Sequence, residues 1–111
     1  NEAYFAAIKR GMEDVTSPEE NGTAAKFYEG VKYIAAKTGT SQRTKLDVEN
    51  NAWQVAYAPL EDPQIVVVAY VQNGYQGAYT SPMIRTTIEY YLNHMNKTES
   101  TQMSGDYSLA D

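Results

Sequence analysis

The stretch that most constrains the fold is "QIVVVAYVQ", a predicted strand from Gln64 to Gln72 that is apolar at seven consecutive positions. Side chains of a strand alternate between the two faces of a sheet, so an unbroken apolar run predicts that both faces are covered. The chain has one helical pattern near each end, and two helices on one face leave the other bare. Burial stabilises by about 25 cal/mol per Å², so leaving several hundred Å² in water forfeits roughly 10 kcal/mol. We therefore expect a further layer, supplied by more polypeptide.

The remaining patterns predict an α+β fold, an antiparallel sheet flanked by helices. Apolar residues recur every three to four positions over residues 1–15, which is typical of an amphipathic helix. A short helical turn is predicted from Thr23 to Glu29, with Thr23 as its N-cap. Short links between consecutive strands favour an antiparallel meander. The predicted strands are Val31–Gln42, Ala52–Ala58 and Gln64–Gln72.

The C-terminal part is predicted to be a helix followed by a tail. Ser81 as N-cap and Pro82 at the first helical position open a helix that runs to about Met95. The last fifteen residues show no periodicity. We therefore divide the chain into a domain portion, 1–96, and a C-terminal tail, 97–111.

Composition excludes several classes of function. The net charge is −5 and the nine Lys and Arg residues are scattered, so no basic stripe is available to bind nucleic acid. The chain has no cysteine, which excludes disulfides and thiolate catalysis. The single His94 is expected to be structural and Trp53 to lie in the core, and no metal or organic cofactor is implied.

The segment "IAAKTGTSQ", residues 34–42, places unusual side chains on a strand. Alternation puts Lys37 and Gly39 on one face and Thr38, Thr40 and Gln42 on the other. A ligand along the strand edge makes main-chain hydrogen bonds and meets side chains from both faces. The absence of a Cβ at Gly39 allows a reacting carbonyl to come close.

These residue types suit acyl transfer on an anionic peptide. Lys37 supplies a positive charge and a proton donor, while threonine hydroxyls bind a carboxylate. The amide N–H near Thr40 can point at a developing oxyanion. The set is half of a site, because it contains no nucleophile. Read singly, Lys37 is a surface lysine, Gly39 a bulge glycine and the threonines ordinary strand formers.

The K-T-G-T sequence of residues 37–40 resembles the third signature of the penicillin-binding proteins and serine β-lactamases. The resemblance covers nearly all of residues 1–96 and is nearest to the monofunctional class B transpeptidases. It extends over "GMEDVTSPEENGTAAKF" before the strand, "ENNAWQVAYAPLEDPQIVVVAYVQN" after it and "SPMIRTTIEYYLN" in the last helix.

The resemblance implies a role for each motif residue. Lys37 would assist the proton relay, and the backbone N–H of Thr40 would be one oxyanion donor, so these two are the catalytic candidates. Thr38, Gly39, Thr40 and Gln42 would bind substrate: the hydroxyls would hold the terminal carboxylate of a D-Ala-D-Ala stem peptide or a β-lactam, and Gln42 would contact the rim.

The chain also departs from the family pattern, since it contains no Ser-x-x-Lys and no Ser-x-Asn. We expect the nucleophilic serine in a preceding segment of the same domain, so that this chain alone is inactive. The N-terminus lacks an initiator Met and a signal peptide, and no apolar run is long enough to span a membrane. The resemblance implies a bacterial protein on the extracytoplasmic face of the membrane, anchored by residues outside this chain.

Two other functions remain open at this stage. A β-lactamase or D,D-carboxypeptidase shares the lysine motif but transfers the acyl group to water. A binding module would keep the strand and lose the chemistry. The sequence of the missing serine segment, or labelling by penicillin, discriminates among these alternatives.

Overall fold

The computed structural model describes residues 1–42 and 49–102. Two short 3-10 turns accompany the helices and strands. In chain order the elements are helix α1 (Glu2–Thr16), the first 3-10 turn (Ala25–Phe27), strands β1 (Ala35–Ser41), β2 (Asn51–Ala58) and β3 (Ile65–Val71), the second 3-10 turn (Gly77–Thr80) and helix α2 (Ser81–Gln102).

Within the described ranges the three strands form one antiparallel sheet in the order β1-β2-β3. Lys37 of β1 lies opposite Val55 of β2, which lies opposite Val68 of β3. The predicted meander and the α+β class are confirmed. Strand β1 begins later than predicted, because Gly30 has a φ of 78° and the Val31 N–H bonds back to Tyr28, so the chain turns before it extends.

The core lies on one face of the sheet. Ile84 and Ile88 of α2 are fully buried there together with Tyr28, and Val15 of α1 packs against the same cluster. Strands β1 and β2 contribute alanine to this cluster, and Ile65 and Val67 of β3 pack against it. The guanidinium of Arg85 bonds the Phe27 carbonyl and thus ties α2 to the first 3-10 turn. The strand residues in the cluster are Ala36, Ala56 and Ala58.

Most of the opposite face of the sheet is left uncovered by the described residues. Val66 and Val68 are 65% and 64% exposed, and Tyr70 is 47% exposed. Trp53 contacts Tyr70 at a ring-centroid distance of 4.4 Å but is 43% exposed, so the prediction that it lies in the core is wrong for this chain. The apolar run therefore has one covered and one exposed face, and the further layer stays a prediction.

Several predicted helix ends are wrong. The residue that caps the first 3-10 turn is Ala24, and the Thr23 hydroxyl instead pairs with the hydroxyl of Thr38. Ser81 is itself helical (φ −58°, ψ −40°), because the second 3-10 turn runs directly into α2 and leaves no separate cap.

Helix α2 continues beyond Met95 to Gln102, into the segment predicted as tail. Residues 96–102 contain neither glycine nor proline, the two residues that oppose helix propagation most strongly. Residues 103–111 lie outside the described residues, and the division at 96 stays a prediction. Neither of the helices in the described ranges has the length and apolar character needed to cross a membrane.

The exposed sheet face leads to a prediction for the 111-residue chain expressed by itself. We expect a broad thermal transition and strong binding of a hydrophobic dye, because large apolar side chains face water. Circular dichroism melts and dye fluorescence measure both properties. The double variant Val66→Thr, Val68→Thr is expected to bind less dye. A sharp cooperative melt without dye binding would contradict the need for a further layer.

Candidate functional site

Strand β1 carries the K-T-G-T residues along an open edge. It pairs with β2 on one side, and its other edge has no strand partner among the described residues. Lys37 and Gly39 lie on the uncovered face of the sheet, in register with Val55 and Trp53. Lys37 is exposed, and its Nζ donates to the carbonyl oxygen of Thr38 at 2.6 Å. The ammonium group is thus available to whatever occupies that face.

The two threonine hydroxyls of the motif have neighbours on the other side of the strand. The Oγ1 atoms of Thr38 and Thr23 lie 3.1 Å apart, within hydrogen-bond distance. Thr40 is exposed, and its Oγ1 accepts a hydrogen bond from the Gly77 N–H at 3.2 Å. Both hydroxyls line a cavity of about 430 Å³ beside β1. Its lining residues are Thr23, Thr38, Thr40, Asn50, Tyr75, Gln76, Gly77 and Ala78.

Gly39 is not required by the packing of this chain. A Cβ built on Gly39 meets the Trp53 Cβ at 3.5 Å, which is an ordinary van der Waals contact. The open space at this position is therefore available to a ligand.

Gly39→Ala is accordingly expected to leave the free energy of unfolding within about 1 kcal/mol of the wild type, since the added methyl group finds room. If a ligand carbonyl uses the same space, acylation by penicillin falls at least tenfold. Thermal unfolding and acylation kinetics of the complete protein measure the two effects. Equal acylation of the variant would contradict close approach at Gly39.

The second 3-10 turn packs directly on the motif strand. A Cβ on Gly77 would lie 2.7 Å from the Gly39 nitrogen and 2.5 Å from the Gly39 oxygen, and it would also collide with the Trp53 carbonyl oxygen. Only glycine permits this approach. The turn "NGYQGAY" contains the glycine, but the sequence carries no sign that its backbone rests on β1.

A buried amide holds that turn in place, and sequence reasoning missed it. Gln54 is 1% exposed, and its Oε1 accepts a hydrogen bond from the Tyr28 hydroxyl at 2.6 Å. Its Nε2 donates to the Gly77 carbonyl at 3.1 Å, to the Ser81 Oγ at 2.9 Å and to the Thr80 Oγ1 at 3.2 Å. The sequence did contain a signal: Gln54 is a polar residue in a predicted strand, and its neighbours on the same face, Ala52 and Ala56, are both apolar.

Burial raises the pKa of the Tyr28 phenol from 10.0 to about 12, while hydrogen bonding from Ser81 and the charge of Arg85 act in the opposite direction. A raised pKa in the folded state contributes stability that is present below pH 10 and lost as the pH rises towards 12. We expect the free energy of unfolding of the complete protein to fall by on the order of 2 kcal/mol over this window. Denaturant unfolding at pH 8 to 12 measures the slope, and an unchanged slope in Tyr28→Phe would contradict the assignment.

The remaining candidate, Gln42, lies just beyond the end of β1 and is exposed. It is not among the residues that line the cavity. A larger cavity of about 730 Å³ lies along α1 and includes Lys9, Arg10 and Glu13, but none of the K-T-G-T residues lines it. Among the described residues no three His, Asp or Glu side chains cluster as a metal site would require.

Comparisons with known proteins identify the family of this chain. Residues 1–89 match the family described as the penicillin binding protein transpeptidase domain. Peptidoglycan D,D-transpeptidase MrdA of Haemophilus influenzae is 33% identical over 106 residues, which cover 82% of this chain and 16% of that protein.

Solved structures agree as well. PBP2 of Pseudomonas aeruginosa, in complex with WCK 5153, superimposes with a TM-score of 0.72 at 31% identity and covers 83% of this chain and 20% of the other. Penicillin-binding protein A of M. tuberculosis, as its penicillin G acyl-enzyme complex, has a TM-score of 0.50 at 32% identity, covering 61% of this chain and 20% of the other.

The chain therefore spans about one sixth to one fifth of the length of the relatives that it matches. The family match extends from α1 into α2 and includes the K-T-G-T strand with the two strands that follow it. A match over residues 1–89 covers more than half of the chain. This chain belongs to the penicillin binding protein transpeptidase domain family.

Proposed function

We propose that this chain supplies the K-T-G-T strand of a serine D,D-transpeptidase that cross-links peptidoglycan stem peptides through an acyl-enzyme. The observation that carries the proposal is the position of the motif on an open strand edge. Lys37 is exposed on one side of that edge, and the hydroxyls of Thr38 and Thr40 line a cavity on the other. A peptide bound along β1 would meet all three groups.

The chemistry assigned to each residue follows from its donors. The Lys37 ammonium is a proton donor and a positive charge beside the reacting centre. The backbone N–H of Thr40 would stabilise the oxyanion of the tetrahedral intermediate. The hydroxyls of Thr38 and Thr40 would donate to the terminal carboxylate of a D-Ala-D-Ala stem or a β-lactam. Gln42 would contact the ligand at the rim.

The nucleophile must come from polypeptide outside these 111 residues, because the chain contains no Ser-x-x-Lys and no Ser-x-Asn sequence. We propose that the segment with both motifs packs on the uncovered sheet face, next to Lys37. Valine, tyrosine and tryptophan side chains are exposed there. A peptidoglycan substrate further implies a location on the extracytoplasmic face of a bacterial membrane.

The test is acylation of the complete protein by benzylpenicillin, followed by intact mass spectrometry. We expect one covalent adduct of penicillin mass that survives denaturation, located by peptide mapping on a serine. Absence of an adduct would overturn the enzymatic proposal and favour a binding module that retains the strand alone.

A second assay separates transfer from hydrolysis. The complete protein is supplied with a stem peptide ending in D-Ala-D-Ala together with an amine acceptor peptide. We expect release of the terminal D-Ala and formation of a cross-linked product. D-Ala release with water as the sole acceptor would identify a D,D-carboxypeptidase, and rapid turnover of the penicillin adduct would identify a β-lactamase.

A further inference from the structure

A continuous set of hydrogen bonds links the buried Gln54 amide to the Thr40 hydroxyl. The Gln54 Nε2 donates to the Gly77 carbonyl oxygen at 3.1 Å, and the N–H of the same Gly77 donates to the Thr40 Oγ1 at 3.2 Å. One residue of the second 3-10 turn thus bonds Gln54 through its carbonyl and Thr40 through its amide. Gly77 therefore connects the buried amide to the motif hydroxyl.

The Gln54 end of this set is anchored. The side chain is 1% exposed, and an unbonded amide at such a site is costly, which favours the orientation that satisfies every polar atom. The Gly77 carbonyl oxygen can only accept, which identifies the Gln54 atom 3.1 Å from it as the amide nitrogen and leaves Oε1 to accept from the Tyr28 hydroxyl at 2.6 Å. The two amide hydrogens are shared by the Gly77 carbonyl and the hydroxyls of Thr80 and Ser81.

At the other end, the hydrogen bond from the Gly77 N–H determines the direction in which the Thr40 hydroxyl donates its hydrogen. A hydroxyl has one hydrogen to donate and two lone pairs to accept. The Gly77 N–H occupies a lone pair of Oγ1, so the hydroxyl hydrogen is directed away from the turn. Thr40 is exposed at the edge strand and lines the cavity beside it, so that hydrogen is available to an acceptor in the cavity.

We propose that Gln54 is a positioning residue: through Gly77 it presents the Thr40 hydroxyl as a hydrogen-bond donor to the carboxylate of the substrate. This inference rests on the proposed function, which places a carboxylate at Thr40. The inference assigns a role to Gln54, a buried residue outside the motif that touches no substrate. Through Thr40, Gln54 would favour an anionic ligand over a neutral one. A neutral ester at the same position accepts a weaker hydrogen bond and gains less from the arrangement.

The test compares acylation of the complete protein by benzylpenicillin and by its methyl ester, with adducts counted by intact mass. The readout is the ratio of the two acylation rates, which a general loss of folded protein does not change. We expect Thr40→Val to lower this ratio about tenfold and Gln54→Met, which keeps the side-chain shape, to lower it by a similar factor. In the double variant the two effects do not multiply, because Gln54 acts only through the Thr40 hydroxyl that Thr40→Val removes.

Two further variants complete the test. Tyr28→Phe keeps the ring but leaves the buried Gln54 Oε1 without its donor, which favours movement of the amide away from Gly77. We expect it to lower the ratio severalfold, a result that can be read even if Gln54→Met fails to fold. Thr87→Val removes an exposed hydroxyl that bonds the Met83 carbonyl on α2, and we expect the wild-type ratio.

Two results would overturn the inference. Tyr28→Phe or Gln54→Met with the wild-type ratio would show a purely structural network, as would effects that multiply with Thr40→Val. In both cases the wild type still forms its penicillin adduct. Absence of any adduct in the wild type would instead overturn the proposed function and this inference with it.

Discussion

Replacing Lys37 with alanine in the complete protein is expected to slow acylation by penicillin by about 100- to 10,000-fold, the usual contribution of a positioned acid or base. The same change is expected to leave the fold intact. Lys37 is exposed, and its Nζ bonds only the carbonyl of the adjacent residue at 2.6 Å, so its removal leaves no buried group unpaired. Stopped-flow acylation and a thermal melt measure the two effects.

Lys32→Ala is the matched control, because Lys32 is another exposed lysine a few residues before β1. We expect it to acylate at the wild-type rate. If Lys37→Ala also acylates at the wild-type rate, Lys37 is a surface lysine that extends its ammonium into water, and the proton relay must be assigned elsewhere.

Replacing Gly77 with alanine is expected to have the largest effect on stability. The added Cβ would lie 2.5 Å from the Gly39 oxygen and 2.7 Å from the Gly39 nitrogen, closer than real Cβ atoms occur, so the turn must move away from β1. This movement breaks the bonds that Gly77 makes to Thr40 and Gln54. We expect a loss of about 3 kcal/mol in the free energy of unfolding and a loss of acylation.

Gly11→Ala provides the contrast. A Cβ on Gly11 meets no atom within 4 Å, and the residue lies inside α1, where alanine favours the helix by up to about 1 kcal/mol. Denaturant unfolding of both variants in the complete protein compares the two glycines. Equal stability of Gly77→Ala and Gly11→Ala would contradict the close approach between the turn and the motif strand.

The two glycines of the site are distinguished by different measurements. A methyl group at Gly39 meets only the Trp53 Cβ at an ordinary 3.5 Å, whereas one at Gly77 meets backbone atoms. Gly39→Ala therefore tests whether a ligand occupies the space beside Gly39, and acylation is the measurement. Gly77→Ala tests whether the second 3-10 turn must pack on β1, and the free energy of unfolding is the measurement. Sequence alone treats both as turn or bulge glycines, because their difference lies in atoms more than ten residues away.

Periodicity and turn residues were sufficient to predict the order and type of the elements. The amphipathic spacing of residues 1–15 corresponds to α1 (Glu2–Thr16), and the predicted Ala52–Ala58 strand corresponds to β2 (Asn51–Ala58). Such patterns reflect the local alternation of buried and exposed positions, which is a property of consecutive residues. Helix ends were predicted less well: Ser81 continues a 3-10 turn, and α2 passes Met95.

Exposure was predicted less well than element type, because it depends on which surfaces this chain covers. Trp53 and Val68 have the apolar character of core residues, yet both face water on the uncovered side of the sheet. The apolar character of these side chains indicates that this face of the sheet is suited to contact another apolar surface. Helix α2 packs on the opposite face, where its Ile84 and Ile88 are buried.

The sequence by itself determined the element types, the family and the position of the K-T-G-T motif, since spacing and residue type are local properties that no fold is needed to reveal. Only the tertiary structure decided that the motif lies on an open edge, that Gly77 rests on its backbone and that Gln54 is bonded through Gly77 to Thr40. The physical reason is that these contacts join residues 23 to 38 positions apart, and nothing local specifies which distant backbone groups a buried amide or a hydroxyl will meet.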